Sequence, residues 1–194
     1  MNKELPIYRL DIVDDLESNV EVEYVALVDR PAIERAFLAF NKSMAFAIQD
    51  EEEKIISGAL ILADTPIYRN DTNGEYYVIF TKTTIKKIVQ KYFKKGYQNN
   101  VNLMHDSGQT KEGVTMFESW IVDEKRGIKP MVGFEDVKDG SWFGSFKVEN
   151  DEVWKLIKDG KVQGFSVEGI FNYKTDTKEE KMMKDIIDIL RQTK

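Results

Sequence analysis

The sequence predicts an α+β fold, a mostly antiparallel sheet or barrel with helices outside it. Three observations predict this. Short apolar or alternating runs recur between turn signals, enough for about seven or eight strands. Only three stretches carry helical periodicity. Strands and helices mix without a regular βαβ repeat, which argues against a parallel α/β sheet.

The elements follow in chain order. Ile7–Val13 and Val20–Val28 run apolar or alternate, with Asp14 and Asp15 at the turn between them. Arg30-Pro31 breaks the second strand, and Ala32–Phe46 reads as a short helix or an irregular arm. The charge cluster Gln49–Lys54 is a surface loop, and Ile55–Ala63 a buried strand. Asn70–Gly74 (NDTNG) is the strongest turn signal, and Glu75–Phe80 follows as a strand. Ile85, Ile88, Val89, Tyr92 and Phe93 then share one helical face. Thr81, Thr83 or Thr84 caps that helix, Gly96 ends it, and its lysines read as solvated charges. Val101–Met104 is a short strand ending at His105, Gly113–Val122 a longer one, and Lys125–Gly127 a turn. Ser141–Val148 is a strand. Asn150 or Asp151 opens a helix that runs to Lys158 and buries Val153, Trp154 and Ile157. Gln163–Tyr173 reads as the last strand. Thr177 and Glu180 have capping-box spacing for a terminal helix with Met182, Met183, Ile186, Ile187 and Leu190 as its apolar positions. Residues 1–173 therefore read as one domain and 174–194 as a linker with an amphipathic helix.

The 194 residues suffice for one domain with a sizeable core, and 42% hydrophobic with 32% charged residues is an ordinary globular balance. There is no cysteine, which excludes disulfides, thiolate metal sites and a cysteine nucleophile. One histidine excludes a zinc site built on several imidazoles, so any metal would need carboxylates and be magnesium or calcium. A net charge of -6 disfavours general nucleic-acid binding. Met1–Leu10 is no signal peptide, and no apolar run approaches the ~20 residues of a membrane helix. The expectation is a soluble intracellular protein with no cofactor.

Two side chains stand out for chemistry. His105 lies where a strand meets a polar, glycine-containing loop, and imidazole is the side chain best suited to proton transfer near neutral pH. Ser166 lies in Gly164–Gly169 (GFSVEG). Strand alternation puts Phe165, Val167 and Phe171 on one face, Ser166 and Glu168 on the other. This is not the G-x-S-x-G elbow of the α/β-hydrolases. A serine hydroxyl needs a base, and the single imidazole is the only histidine available in a monomer. The group that orients that imidazole must then be an acid. Glu118 lies in an apolar strand context that demands a partner. Glu168 lies about 6–7 Å along the strand from Ser166. Both stay open on the residues alone. Paired carboxylates among the 34 acids would allow an acid-based hydrolase, but no spacing singles out a pair.

Four stretches resemble the phage prohead proteases, most closely the XkdF-type serine proteases. They are Tyr24–Phe40 (YVALVDRPAIERAFLAF), Asn99–Asp106 (NNVNLMHD), Phe117–Gly127 (FESWIVDEKRG) and Ser141–Gly169, which holds VWKLIKDGKV and GFSVEG. The resemblance implies a β-barrel wrapped by helices, as in the herpesvirus assembly proteases, with 1–173 as the protease domain. It implies Ser166 as nucleophile and His105 as general base. It favours Glu118 as the third member, since relatives often carry an acid in the strand after the histidine and a small residue where Glu168 stands. The herpesvirus enzymes use a second histidine, which this chain lacks.

The implied function is a serine endopeptidase inside the immature phage capsid in the host cytoplasm. Its substrates would be the scaffold protein and the major capsid protein, with self-cleavage in the C-terminal helix and its linker Lys174–Lys178. Dimeric herpesvirus enzymes leave a homo-oligomer open. The rival expectation is a non-catalytic capsid assembly or scaffolding protein on the same fold.

Overall fold

The computed structural model describes residues 5–29, 46–72, 74–106 and 110–175. Within them the strands are β1 (Ile7–Asp11), β2 (Val22–Val28), β3 (Phe46–Asp50), β4 (Ile55–Ile61), β5 (Ile67–Asp71), β6 (Gly74–Phe80), β7 (Val101–Leu103), β8 (Val114–Ile121), β9 (Trp142–Val148), β10 (Gly164–Gly169) and β11 (Asn172–Lys174). Helix α1 (Lys82–Lys94) joins the β5–β6 hairpin to β7, and α2 (Asp151–Lys158) joins β9 to β10. The expected arm at 32–46, except for the start of β3, and the capping box and helix of the C-terminal region lie outside the described residues.

The helices begin where the sequence places caps. The Thr81 side chain accepts from the Thr84 N–H, and that of Asn150 accepts from Glu152 and Val153. Past the ends of α1 and α2, Gly96 and Gly160 take φ of 73° and 70°, the left-handed conformation that glycine adopts without strain.

The strands form three sheets, ordered β11-β1-β6-β5, β10-β2-β7 and β3-β4-β9-β8. Pairing is antiparallel except for β1 with β6 and β2 with β7. The α+β, mostly antiparallel expectation therefore holds in its coarse form. The barrel does not: among the described residues the ladders close into no ring. The physical reason lies partly in the last strand. Gln163–Tyr173 reads as one run, but it divides after Gly169. β10 pairs with β2 and β11 pairs with β1 in a different sheet. A β-bulge between Glu168 and Gly169 bends the chain there. Two other strands differ from expectation. β5 runs into the NDTNG stretch and takes its first two residues, and its short mixed sequence IYRND hides its period. β3 runs into the charge cluster and ends at Asp50.

The core lies where the sheets face each other. Phe146 of β9 stacks on Phe165 of β10 with ring centroids 4.7 Å apart, and Tyr92 of α1 meets Trp142 of β9 edge-on at 5.5 Å. Ile85, Ile88 and Tyr92 are buried, as the helical stripe requires.

One lysine of α1 departs from the solvated reading. Lys91 is 1% exposed, and its ammonium pairs with Glu21 at 3.0 Å while donating to the carbonyls of Val13 and Ser18. Lys95 and the Tyr97 hydroxyl also donate to Glu21. Burial pushes the Glu21 carboxyl up, but these hydrogen bonds outweigh it and hold it below its ordinary value of 4.5. A depressed carboxylate stabilises the fold fully above its unfolded value, and that contribution is lost as pH falls through the folded one. Urea unfolding should thus show stability declining below pH 4.5. A Glu21→Gln chain, less stable at neutral pH, should decline less over the same acid range. Equal declines in the two chains would remove Glu21 as a cause.

Candidate active site

The middle sheet carries the site. Its register sets Ser166 of β10 opposite Ala26 of β2, and Ala26 opposite Asn102 of β7. Directly opposed residues share a face, so Ser166, Ala26 and Asn102 form one row, about 10 Å from end to end. The central member is a methyl group, which leaves space above β2 for longer side chains to meet. Glu168, two residues on from Ser166, uses that space: its Oε2 accepts from the Asn102 amide at 3.0 Å.

The same oxygen meets His105. Imidazole Nδ1 lies 3.3 Å from Glu168 Oε2. The backbone brings it there through a tight turn after β7, closed by the Asp106 N–H donating to the Leu103 carbonyl at 3.0 Å. Both central residues are left-handed, Met104 with φ 51° and His105 with φ 61°. Histidine tolerates this conformation better than most residues, methionine less well. Such turns cost of order 1–3 kcal/mol and persist where surrounding contacts over-determine them. Here the Met104 sulfur accepts from the Asp29 N–H at 3.3 Å, and the Met104 N–H donates to the Leu27 carbonyl at 3.0 Å.

With Nδ1–H donating to a carboxylate, Nε2 is left as the free, basic nitrogen of the neutral ring. This is the arrangement a general base needs. The imidazole is half exposed, with 46% of its side-chain area open, while Ser166 is 6% exposed. No hydrogen bond joins the two among the described residues. Ser166 lies on the strand that holds the imidazole's partner, on the same face.

Glu118 sits elsewhere. It accepts from the Ser145 hydroxyl at 2.6 Å, and Ser145 accepts from Ser57 at 2.8 Å, a polar row across β8, β9 and β4. Ser145 adjoins Phe146, whose ring stacks on β10, so strand alternation turns that row to the opposite face of its sheet. Glu118 is exposed, so its strand context demands no buried partner; it accepts from a serine, and the acid brought to His105 is Glu168.

Asn102 was not singled out by sequence reasoning. Its signal is an amide in the apolar run Val101–Leu103: the side chain is fully buried, and a buried amide requires polar partners. Among the described residues no three His, Asp or Glu side chains converge as a metal site, and no helix is long and apolar enough to cross a membrane.

Comparison with known proteins agrees with the resemblance. Residues 43–175 match the profile of the family described as "Putative phage serine protease XkdF". The chain belongs to this family. It is 25% identical over 157 residues to the phage-like element PBSX protein XkdF of Bacillus subtilis (strain 168), covering 81% of this chain and 50% of the relative. It is 27% identical over 161 residues to the uncharacterized protein YqbD of the same strain, covering 78% of this chain and 45% of that one. The chain thus spans about half the length of these relatives. No solved structure matches it. The match to the XkdF family takes in β3 to β11, and with them His105, Glu118, Ser166 and Glu168.

Proposed function

We propose that this chain is a serine endopeptidase that cleaves scaffold and capsid proteins during prohead maturation, inside the immature capsid. The observation that supports this most is the bond between the chain's one imidazole, through Nδ1, and a carboxylate on the strand that carries Ser166. Membership of a family described as phage serine proteases supports the class of chemistry.

In the proposed mechanism, His105 Nε2 takes the Ser166 proton as the hydroxyl oxygen attacks a peptide carbonyl. Glu168 holds the Nδ1–H tautomer and stabilises the imidazolium that forms. The imidazolium then protonates the leaving amine, and water repeats the cycle on the acyl-enzyme. Substrate binding would close the remaining gap between hydroxyl and ring, as catalytic hydrogen bonds often tighten only in the complex. Self-cleavage in the C-terminal helix and its linker Lys174–Lys178 belongs to the same proposal.

The test is co-expression with the capsid and scaffold proteins of the same phage, as wild type and as Ser166→Ala. The expected result is head-protein fragments, and a shortened C-terminus of this chain, in the wild type only, read by intact-mass spectrometry. Capsids that mature equally with Ser166→Ala would overturn hydrolysis and leave the rival, a non-catalytic assembly factor.

A further inference from the structure

The strand that carries Ser166 borders a cavity of about 240 Å³ for which the mechanism above has no use. The cavity runs along β10 from Ser166 to Gly169. Much of its wall is apolar, with Leu10, Ile67, Val78 and Phe80 from the first sheet and Leu60 from β4. Two charged residues line it, Glu168 and Arg69. The Glu168 carboxylate is engaged by Asn102 and His105. Arg69, half-buried on β5, donates to the carbonyl of its neighbour Tyr68 at 3.1 Å, and no carboxylate pairs with it among the described residues.

A guanidinium at a cavity of mixed polar and apolar lining is matched best by a carboxylate, which it can bind through two parallel hydrogen bonds. The apolar part of the wall, Leu10, Ile67, Val78 and Phe80, limits solvent and strengthens that attraction. A cavity of this size beside a nucleophile also has room for one substrate side chain. We propose that it is a side-chain subsite for the peptide substrate, that it takes an acidic residue next to the scissile bond, and that Arg69 determines this preference. The proposal rests on the reading of Ser166 as nucleophile.

The experiment uses one degenerate peptide pool in two arms. In the first, the pool is digested with the full chain and the cut sites are sequenced by mass spectrometry. Acidic residues should be enriched about tenfold or more over lysine at one position beside the cut, the effect of one charge-assisted hydrogen bond. Arg69→Ala should remove the preference, and Arg69→Glu should turn it toward lysine. Ser166-dependent cutting without acid enrichment, or with a preference unchanged in Arg69→Glu, would overturn the subsite and leave the protease reading standing. In the second arm, peptides retained by an immobilised Ser166→Ala chain are sequenced, so that no chemistry is needed. Acidic peptides should be retained, and lost when Arg69→Glu is added to a chain whose circular dichroism is unchanged. Retention in this arm with no Ser166-dependent cutting in the first would overturn hydrolysis, and the substrate subsite with it, and leave a binding pocket for acidic peptides. No acid preference in retention would overturn the subsite.

Discussion

Glu168→Gln is expected to lower Ser166-dependent cleavage by about 10⁴-fold while the fold stays intact, the scale of loss when the acid of a catalytic triad becomes its amide. Glu168 Oε2 is the acceptor opposite His105 Nδ1. An amide at that place can present its NH₂ to the ring, and a ring that accepts through Nδ1 carries its proton on Nε2, where a base must be free. Glu118→Gln is the matched control. Its exposed carboxylate accepts from Ser145 on the opposite side of another sheet, and glutamine keeps an acceptor oxygen there, so its effects on cleavage and on stability should both be small. The chain holds one histidine, which makes the tautomer directly readable. A nitrogen-detected spectrum of the imidazole should show Nδ1–H in the wild type and a shift toward Nε2–H in Glu168→Gln only. A large loss in Glu118→Gln with Glu168→Gln near wild type would refute this assignment.

Gly169→Ala is expected to destabilise the protein by about 3 kcal/mol or more, at the upper end of overpacking effects. A β-carbon there would overlap the Glu21 carbonyl oxygen and lie 2.8 Å from Val22 Cα. Both obstacles are backbone, which cannot rotate away. That carbonyl also accepts from the Ile170 N–H at 2.9 Å, so moving it breaks the bond that steers the chain from β10 toward β11. Gly160 makes a useful contrast. It has φ 70° and no atom within 4 Å of an added β-carbon, so alanine there should cost only about 1 kcal/mol. Urea midpoints of the two variants measure the difference. Equal losses would show that close strand approach is not what requires glycine at 169.

The helices and their ends were legible because their causes are local. The apolar stripe of α1, its Thr81 cap and Gly96 follow from spacing and side-chain chemistry within a few residues. The sheet plan was not legible. Glu168 and Gly169 follow Ser166 within three residues, and a glycine inside a strand hints at a bulge or close approach, but that the chain changes sheets there depends on how β2 and β1 are paired. Lys91 reads like its neighbours on the polar face of α1, because the acid that buries it comes from the loop before β2. Arg69 was hidden with β5, a strand too short and mixed to show a period.

The sequence alone limited the chemistry: with no cysteine and one histidine, a serine nucleophile has a single imidazole to serve it and must borrow an acid to orient that ring. Which acid lies beside the ring was decided only in three dimensions. On the residues alone Glu118 and Glu168 both stay open, and the resemblance favours Glu118, yet the strands send them to different partners, one to Ser145 and one to His105. A carboxylate's role depends on the few ångströms around its oxygens, and only the pairing of β10, β2 and β7 sets those.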